Sequence, residues 1–324
     1  MNKVVRGHIL VTSASRKISL MQAVRRAAHK IDDDIKIFAG DIDKNAMARY
    51  VADDFWVMPT VDTSAINALI AGCKKRNIQI VVPTRDGELL FWARHKTHFA
   101  AEGIFVLVSE ESGIRTCLDK LAFSEIGLRF GLPFIPSSRS PERLGPEPYV
   151  VKERFGAGSR AIGLNLTLEE AREHAQFLND PIYQPFINGI EISADAWLDR
   201  NSKIKGIVLR KRDMVISGES VVTTTFQDSQ IEAVVIQALT RLNLMGPIVM
   251  QILLDRDRGS HIIECNARFG GASTASIQVG LDTFYWGFLE AFGFDLNEKP
   301  FERMPGEIRQ IRLTHDIYID GNNF

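Results

Sequence analysis

Two folds in series are expected: an α/β domain built on a parallel, doubly wound sheet, then an α+β region with antiparallel strands. Three features predict this. Up to about residue 112, short apolar strands alternate with amphipathic helices. Beyond a Pro-, Ser- and Arg-rich stretch at 136–148 the strands lengthen and follow one another as hairpins. The length of 324 residues is also too great for one ordinary small domain.

His8-Ile9-Leu10-Val11-Thr12 reads as the first strand, and Ile18 to His29 as a helix with Leu20, Ala23, Val24 and Ala27 on one face. Strands follow at 35–39 (ending at Asp41), 55–58, 78–82 and 104–108, with helices at 63–76 and 86–101. Ligands of such a sheet sit beyond the carboxyl ends of its strands. Those ends carry Ser13, Ser15, Arg16, Asp41, Thr84, Asp86 and Glu88. A helix over 119–131 stops at Gly131-Leu132-Pro133. Strands are then expected at 149–152, 161–165, 182–187, 190–198, 204–211, 248–254 and 261–265, interrupted by helices at 167–178 and 228–243.

Lys plus Arg number 39 and Asp plus Glu 40, a net charge of -1. Bulk charge therefore gives no reason to expect a nucleic acid or an acidic membrane as partner, and any phosphate must be met by a few local cations. Cys73, Cys117 and Cys265 are odd in number and widely spaced, which fits reduced thiols in a cytoplasmic protein. The N-terminal apolar run is short enough to be a buried strand, not a signal peptide, and no run approaches the roughly 18 residues of a membrane span. A dinucleotide-binding oxidoreductase is excluded because Thr12-Ser13-Ala14-Ser15-Arg16 has no glycine where G-x-G-x-x-G would stand.

The segment from Gln251 to Arg268 carries the strongest chemical signal. A hairpin closed by 255–260 with Leu254 opposite His261 sets Gln251 opposite Glu264. Alternation then gives Glu264 and Asn266 one face and turns Cys265 away. A carboxylate with two amide oxygens suits magnesium, and Arg268 suits a phosphate or carboxylate; the alternative is a solvated polar hairpin. Tyr149-Val150-Val151-Lys152, followed by the turn Phe155-Gly156-Ala157-Gly158-Ser159-Arg160, sets a lysine and permissive glycines where phosphates could be cradled, or is an ordinary hairpin. Lys120, and Gln184-Pro185-Phe186-Ile187 leading to Glu191, are weaker signals alone.

Taken in order, these segments from about Leu118 to Leu281 resemble the ATP-grasp superfamily, most closely the ATP-grasp half-domains of the carbamoyl-phosphate synthetase large subunit. The resemblance implies a Rossmann-like pre-ATP-grasp domain (1–112), an ATP-grasp small lobe with a glycine-rich lid (113–187) and a large lobe with the metal site (188–324). By the same resemblance Lys120 and Lys152 contact the α- and β-phosphates of ATP, and the turn with Gly156, Gly158 and Ser159 closes over them. Phe186 and Ile187 offer backbone groups to adenine, Gln184 faces its amino group, and Glu191 holds the ribose. Gln251, Glu264 and Asn266 hold one or two magnesium ions, with manganese as a substitute, and Arg268 stabilises the transferring phosphoryl group. The sequence departs from the family at Asn266-Ala267-Arg268, where Asn-Pro-Arg is usual, and at Gln184, where many relatives are acidic.

The implied reaction is ADP-forming: a small-molecule carboxylate is phosphorylated and an amine displaces phosphate from the acyl phosphate. Arg210 and Arg212, sharing a face at the end of strand 204–211, could add cations near the γ-phosphate. Thr84, Asp86, Glu88, Gly270, Gly271 and Ser273 are the candidate substrate contacts, although Asp86 and Glu88 equally suit the cap and dipole of helix 86–101. Rival readings are a carbamoyl-phosphate synthetase-like subunit and a non-catalytic ATP-binding regulatory module. A homodimer is a family-level expectation.

Overall fold

The computed structural model describes residues 7–156, 158, 161–255, 259–313, 316 and 318. Its first unit runs β1 (His8–Thr12), α1 (Ile18–His29), β2 (Ile37–Asp41), β3 (Asp54–Val57), α2 (Ile66–Lys75), β4 (Ile78–Val82), α3 (Asp86–Ala101) and β5 (Phe105–Val106). The sheet order is β3-β2-β1-β4-β5, with every pair parallel. Alternation along β1 explains the double winding. Ile9 and Val11 pack with Leu20, Val24 and Ala27 of α1, while Leu10 packs with Leu69 of α2 and Trp92 of α3. The loop after β1 turns sharply, with Ser13 and Ser15 both at positive φ.

Two short helices, α4 (Glu111–Leu118) and α5 (Lys120–Arg129), lead onward, of which the sequence pattern signals only the second. Asp119 caps α5, accepting from the Leu121 and Ala122 amides at 3.1 and 3.2 Å. A three-stranded antiparallel sheet follows, made of β6 (Tyr149–Glu153), β7 (Gly163–Leu166) and β8 (Pro181–Pro185), with α6 (Leu168–Ala175) between the last two. Tyr149, Val151 and Tyr183 turn toward Ala171 of α6, so Lys152 turns the other way.

The third unit comprises β9 (Ile190–Leu198), β10 (Ile204–Ile216), β11 (Glu219–Phe226), α7 (Ser229–Leu239), β12 (Gly246–Asp255), β13 (Gly259–Asn266), α8 (Thr274–Gln278), α9 (Thr283–Ala291) and β14 (Arg309–Ile311). Its strands form one antiparallel sheet, ordered β13-β12-β9-β10-β11-β14. One face of β9 (Ile192, Ala194, Ala196, Leu198) meets Ile231, Val235 and Leu239 of α7. The opposite face carries Glu191, Ser193, Asp195 and Trp197. Strands β11 and β14 and helices α8 and α9 go beyond the elements expected from the sequence. Among the described residues no helix is long and apolar enough to cross a membrane.

The β12–β13 register differs from expectation at the turn and agrees at the site. Leu254 pairs with Ser260 and Leu253 with His261, one step off, yet Gln251 pairs with Glu264. A bulge that leaves Ile263 extra on β13 absorbs the step. The edge of β13 is tied to the approach from α5: Ile262 N–H donates to Pro133 O (2.8 Å) and Ile135 N–H to Ile262 O (3.0 Å).

Gly127 of α5 lies against this link, and a Cβ there would sit 1.9 Å from Phe134 Cγ. Gly127→Ala should therefore destabilise the protein in urea denaturation by about 1–3 kcal/mol. The helix-propensity gain of about 1 kcal/mol is too small to offset that clash.

Candidate active site

The polar face of the six-stranded sheet is a grid fixed by register. One row runs Glu264, Gln251, Ser193, Arg210; the next runs Asn266, Val249, Asp195, Val208. Asn266 Nδ2 donates to Glu264 Oε1 at 2.9 Å. With its amide turned to satisfy both neighbours, Gln251 donates to the same oxygen (2.9 Å) and accepts from Arg212 (3.2 Å). Two amide nitrogens thus converge on one carboxylate, which brings together the three residues that the sequence groups.

Facing this carboxylate are two lysines from other elements. Lys152, 5% exposed, has its pKa pushed down to about 8 by burial. Glu264 opposes that shift, Lys120 adds to it, and Glu191 opposes it more weakly. Lys120 is lowered by burial too, and Glu264 is again the strongest opposing charge. Lys120 Nζ donates to Gly156 O at 2.8 Å, so it already grips the β6–β7 turn. Arg154 completes that grip through Asp119, with Nε 2.7 Å from Oδ1. Gly156 and Gly158 adopt φ of 143° and 78°, values that favour glycine. Ser159 lies outside the described residues.

Arg268 reaches across to the first unit and binds Asp86 in a fork, Nε and Nη2 at 2.8 and 2.7 Å. Arg212 pairs with Glu191 and also donates to Ser220 Oγ (3.1 Å) and Gly218 O (2.8 Å). Burial raises the pKa of Glu191, and Arg212 opposes that shift. Gln184 is buried and donates to Ser137 Oγ at 2.8 Å. The Phe186 N–H is taken by Pro148 O (2.9 Å), leaving the Phe186 carbonyl and Ile187 N–H without partners among the described residues.

Several expected contacts are corrected. Arg210 is not a free cation for the γ-phosphate: it is 2% exposed and clamps Asp195 at 2.6 and 3.0 Å. Glu88 is fully buried, accepting from Thr12 Oγ1, Trp92 Nε1 and the Thr84 and Arg85 amides, so it has no oxygen left for a substrate. Thr84 is likewise consumed, donating to Thr12 O at 2.6 Å. Ser273 donates to Asp195 at 3.1 Å and accepts from the Gly270 amide at 3.0 Å, which makes it part of the sheet's support. Asp86 does not cap α3, since Arg85 is the N-cap and Glu88 reaches back to its amide at 3.2 Å. Gly271 stays exposed on the same loop.

Lys17 joins the site without having been expected there. It is half-buried beside the Asp86–Arg268 pair, and its ammonium donates to Ser13 O, Thr84 O and Thr84 Oγ1 at 2.9, 3.0 and 2.7 Å. Burial pushes its pKa down to about 8, while Glu88 opposes the shift. Its only trace in the sequence is a lysine just past a strand end.

Residues 9–107 match the family model "PylC-like, N-terminal domain", and residues 119–272 match "ATP-grasp domain". The chain carries an ATP-grasp domain. The grid of Glu264, Gln251 and Asn266, with Lys120 and Lys152 opposite, lies wholly inside that match. A comparison with curated proteins finds no match. Among solved structures the chain is similar to the biotin carboxylase domain of 2-oxoglutarate carboxylase from Hydrogenobacter thermophilus, described with MgADP, ADP and bicarbonate. The identity is 19% and the TM-score 0.73, over 93% of this chain and 73% of that one. Phosphoribosylglycinamide synthetase from Anaerococcus prevotii matches at 18% identity and TM-score 0.68, over 92% and 79%. L-amino acid ligase from Bacillus licheniformis matches at 16% and 0.66, over 90% and 75%. At these identities the likeness is one of fold, an ATP-grasp domain behind a parallel α/β sheet.

Because Arg210 neutralises Asp195 out of water, Arg210→Met should cost about 3–5 kcal/mol in denaturant unfolding. Adding Asp195→Leu should recover most of that loss. A single variant of wild-type stability would show that the pair is not a support.

Proposed function

We propose that the chain is an ADP-forming ligase that joins a small-molecule carboxylate to an amine through an acyl phosphate. The observation that carries this reading is the convergence of Lys120, Lys152 and Arg268 on the Glu264–Gln251–Asn266 cluster, where α5, β6 and the β12–β13 hairpin of the ATP-grasp domain meet the first unit. The fold neighbours support it: two are described as a synthetase and an amino acid ligase, and one as holding MgADP. The division at 112/113 and 187/188, cytoplasmic location and a homodimer belong to the same reading.

In this reading the lysines neutralise the nucleotide phosphates. The lowered pKa of Lys152 reflects a buried cation whose desolvation Glu264 and, more weakly, Glu191 only partly offset, and a phosphate would raise it again. The Phe186 carbonyl and Ile187 N–H meet the adenine edge. Glu191 meets the ribose once it parts from Arg212, which then turns its guanidinium to the γ-phosphate. Arg268 faces the oxygens of the group in transfer. Glu264 with Gln251 and Asn266 fits magnesium, since all three offer hard oxygen atoms and one carboxylate plus phosphates is a usual magnesium set. The metal would neutralise charge on the phosphate oxygens. Little covalent chemistry is then asked of the side chains, whose task is alignment and charge compensation.

ADP release measured across a panel of amino acids and small carboxylic acids, with and without hydroxylamine, tests the reading. Hydroxamate formation is expected, and absence of MgATP binding would sink it. Glu264→Ala should lower turnover by about 100- to 1,000-fold. Its stability in urea should fall by about 1–2 kcal/mol, because the side chain is half-buried but is the main charge opposing Lys152 and Lys120. Surviving activity would show that the metal assignment is wrong.

A further inference from the structure

Among the described residues Arg268 is the one cation of the cluster hydrogen-bonded by a side chain from outside the ATP-grasp domain. Both of its Asp86 contacts depend on where the turn between β4 and α3 places Asp86. That turn is held from two sides. Glu88 binds the Thr84 and Arg85 amides, and Lys17 binds the Thr84 carbonyl and hydroxyl while anchoring to Ser13 O. The positive φ at Ser13 and Ser15 bends the β1–α1 loop so that the Ser13 carbonyl meets the ammonium. Glu88 is fully buried and is the strongest opposing charge on Lys17; Asp41 and Asp86 add negative charge and Arg268 positive. The ammonium therefore has two tasks: it cross-links two strand-end loops and balances a carboxylate that water cannot reach.

We propose that Lys17 is a positioning residue for Arg268, acting through Thr84 and Asp86 so that the first unit sets the orientation of the arginine at the phosphoryl-transfer position. The proposal rests on the ligase reading only for the role of Arg268, since the chain of contacts stands without it. Replacing Lys17 by methionine keeps much of the stem's packing but frees the Thr84 carbonyl and leaves Glu88 uncompensated. The turn should then relax and Asp86 should lose its fork.

The test uses the full chain labelled with ¹⁵N-arginine. The Arg268 Nε–H signal, identified by its loss in Arg268→Lys, should be sharp and slow to exchange because Asp86 accepts that proton. In Lys17→Met its exchange should rise about tenfold, as in Asp86→Asn, while the signal of Arg210, locked to Asp195, stays protected. The double variant should show no further increase, because both changes act through one contact. MgADP affinity by calorimetry should stay within about twofold of wild type. Lys17→Arg should restore part of the protection. An unchanged Arg268 signal in Lys17→Met overturns the proposal, as does loss of protection shared equally with Arg210. Should Lys17→Met not fold, Thr84→Val carries the test with the same expected loosening, and an unchanged signal there overturns it. Wild-type protein that fails to bind MgADP would sink the ATP reading and leave the Arg268 result to be judged on its own.

Discussion

The buried Asp195–Arg210 pair is the contact on which the site depends. Asp195 receives two bonds from Arg210 and one each from Ser273 and Ser276, so it fastens β9, β10, the loop after β13 and α8 together. These groups lie on the sheet face opposite α7, in an area water does not reach. A charge buried this way is tolerable only when paired and hydrogen-bonded, and here the carboxylate is fully used. Its value lies in geometry. It holds the row in front of it, Glu264–Gln251–Ser193, on a rigid support.

With that support fixed, the remaining charges form a balance that is incomplete. Lys152 is almost wholly buried and opposed mainly by Glu264, which Lys120 shares. Both lysines have depressed pKa values because the protein offers them less negative charge than their desolvation requires. A polyanion entering between the two sheets would supply it. The same excess of cation explains why Arg212 is held by a carboxylate, Glu191, that a nucleotide's own groups could displace.

Periodicity makes the parallel sheet and the β12–β13 hairpin legible. Short apolar runs mark β1 and β4, which are covered on both faces, and alternation of apolar with polar residues marks β9. The Gln251–Glu264 pairing is also legible, although the expected Leu254–His261 partnership is one step off; a bulge at Ile263 is invisible to a pattern of strict alternation. Helix α9 escapes the pattern because Thr283 to Glu290 is buried nearly all round and so carries no helical stripe. Charge misleads in the other direction. Glu88 and Arg210 look like surface chemistry, since a sequence gives a residue's type and not its partners. Only the tertiary fold brings Thr12, Trp92 and two amides to Glu88, and Asp195 to Arg210.

The two strand ends of the first unit illustrate the same limit with a functional consequence. In sequence Thr84, Asp86 and Glu88 form one substrate-facing set, yet in the fold they divide the labour by direction. Glu88 points into the core and ties the turn down, Thr84 links it to Lys17, and only Asp86 points outward to Arg268. Alternation cannot separate these roles because the three residues occupy a turn and the first turn of a helix, where neighbours diverge by about 100° per residue. This division gives a mechanical continuity from the β1–α1 loop to the ATP-grasp domain. A parallel sheet whose strand ends would ordinarily meet only a ligand here also holds an arginine of the neighbouring domain, so any substrate bound at those ends acts on the same contact that orients Arg268.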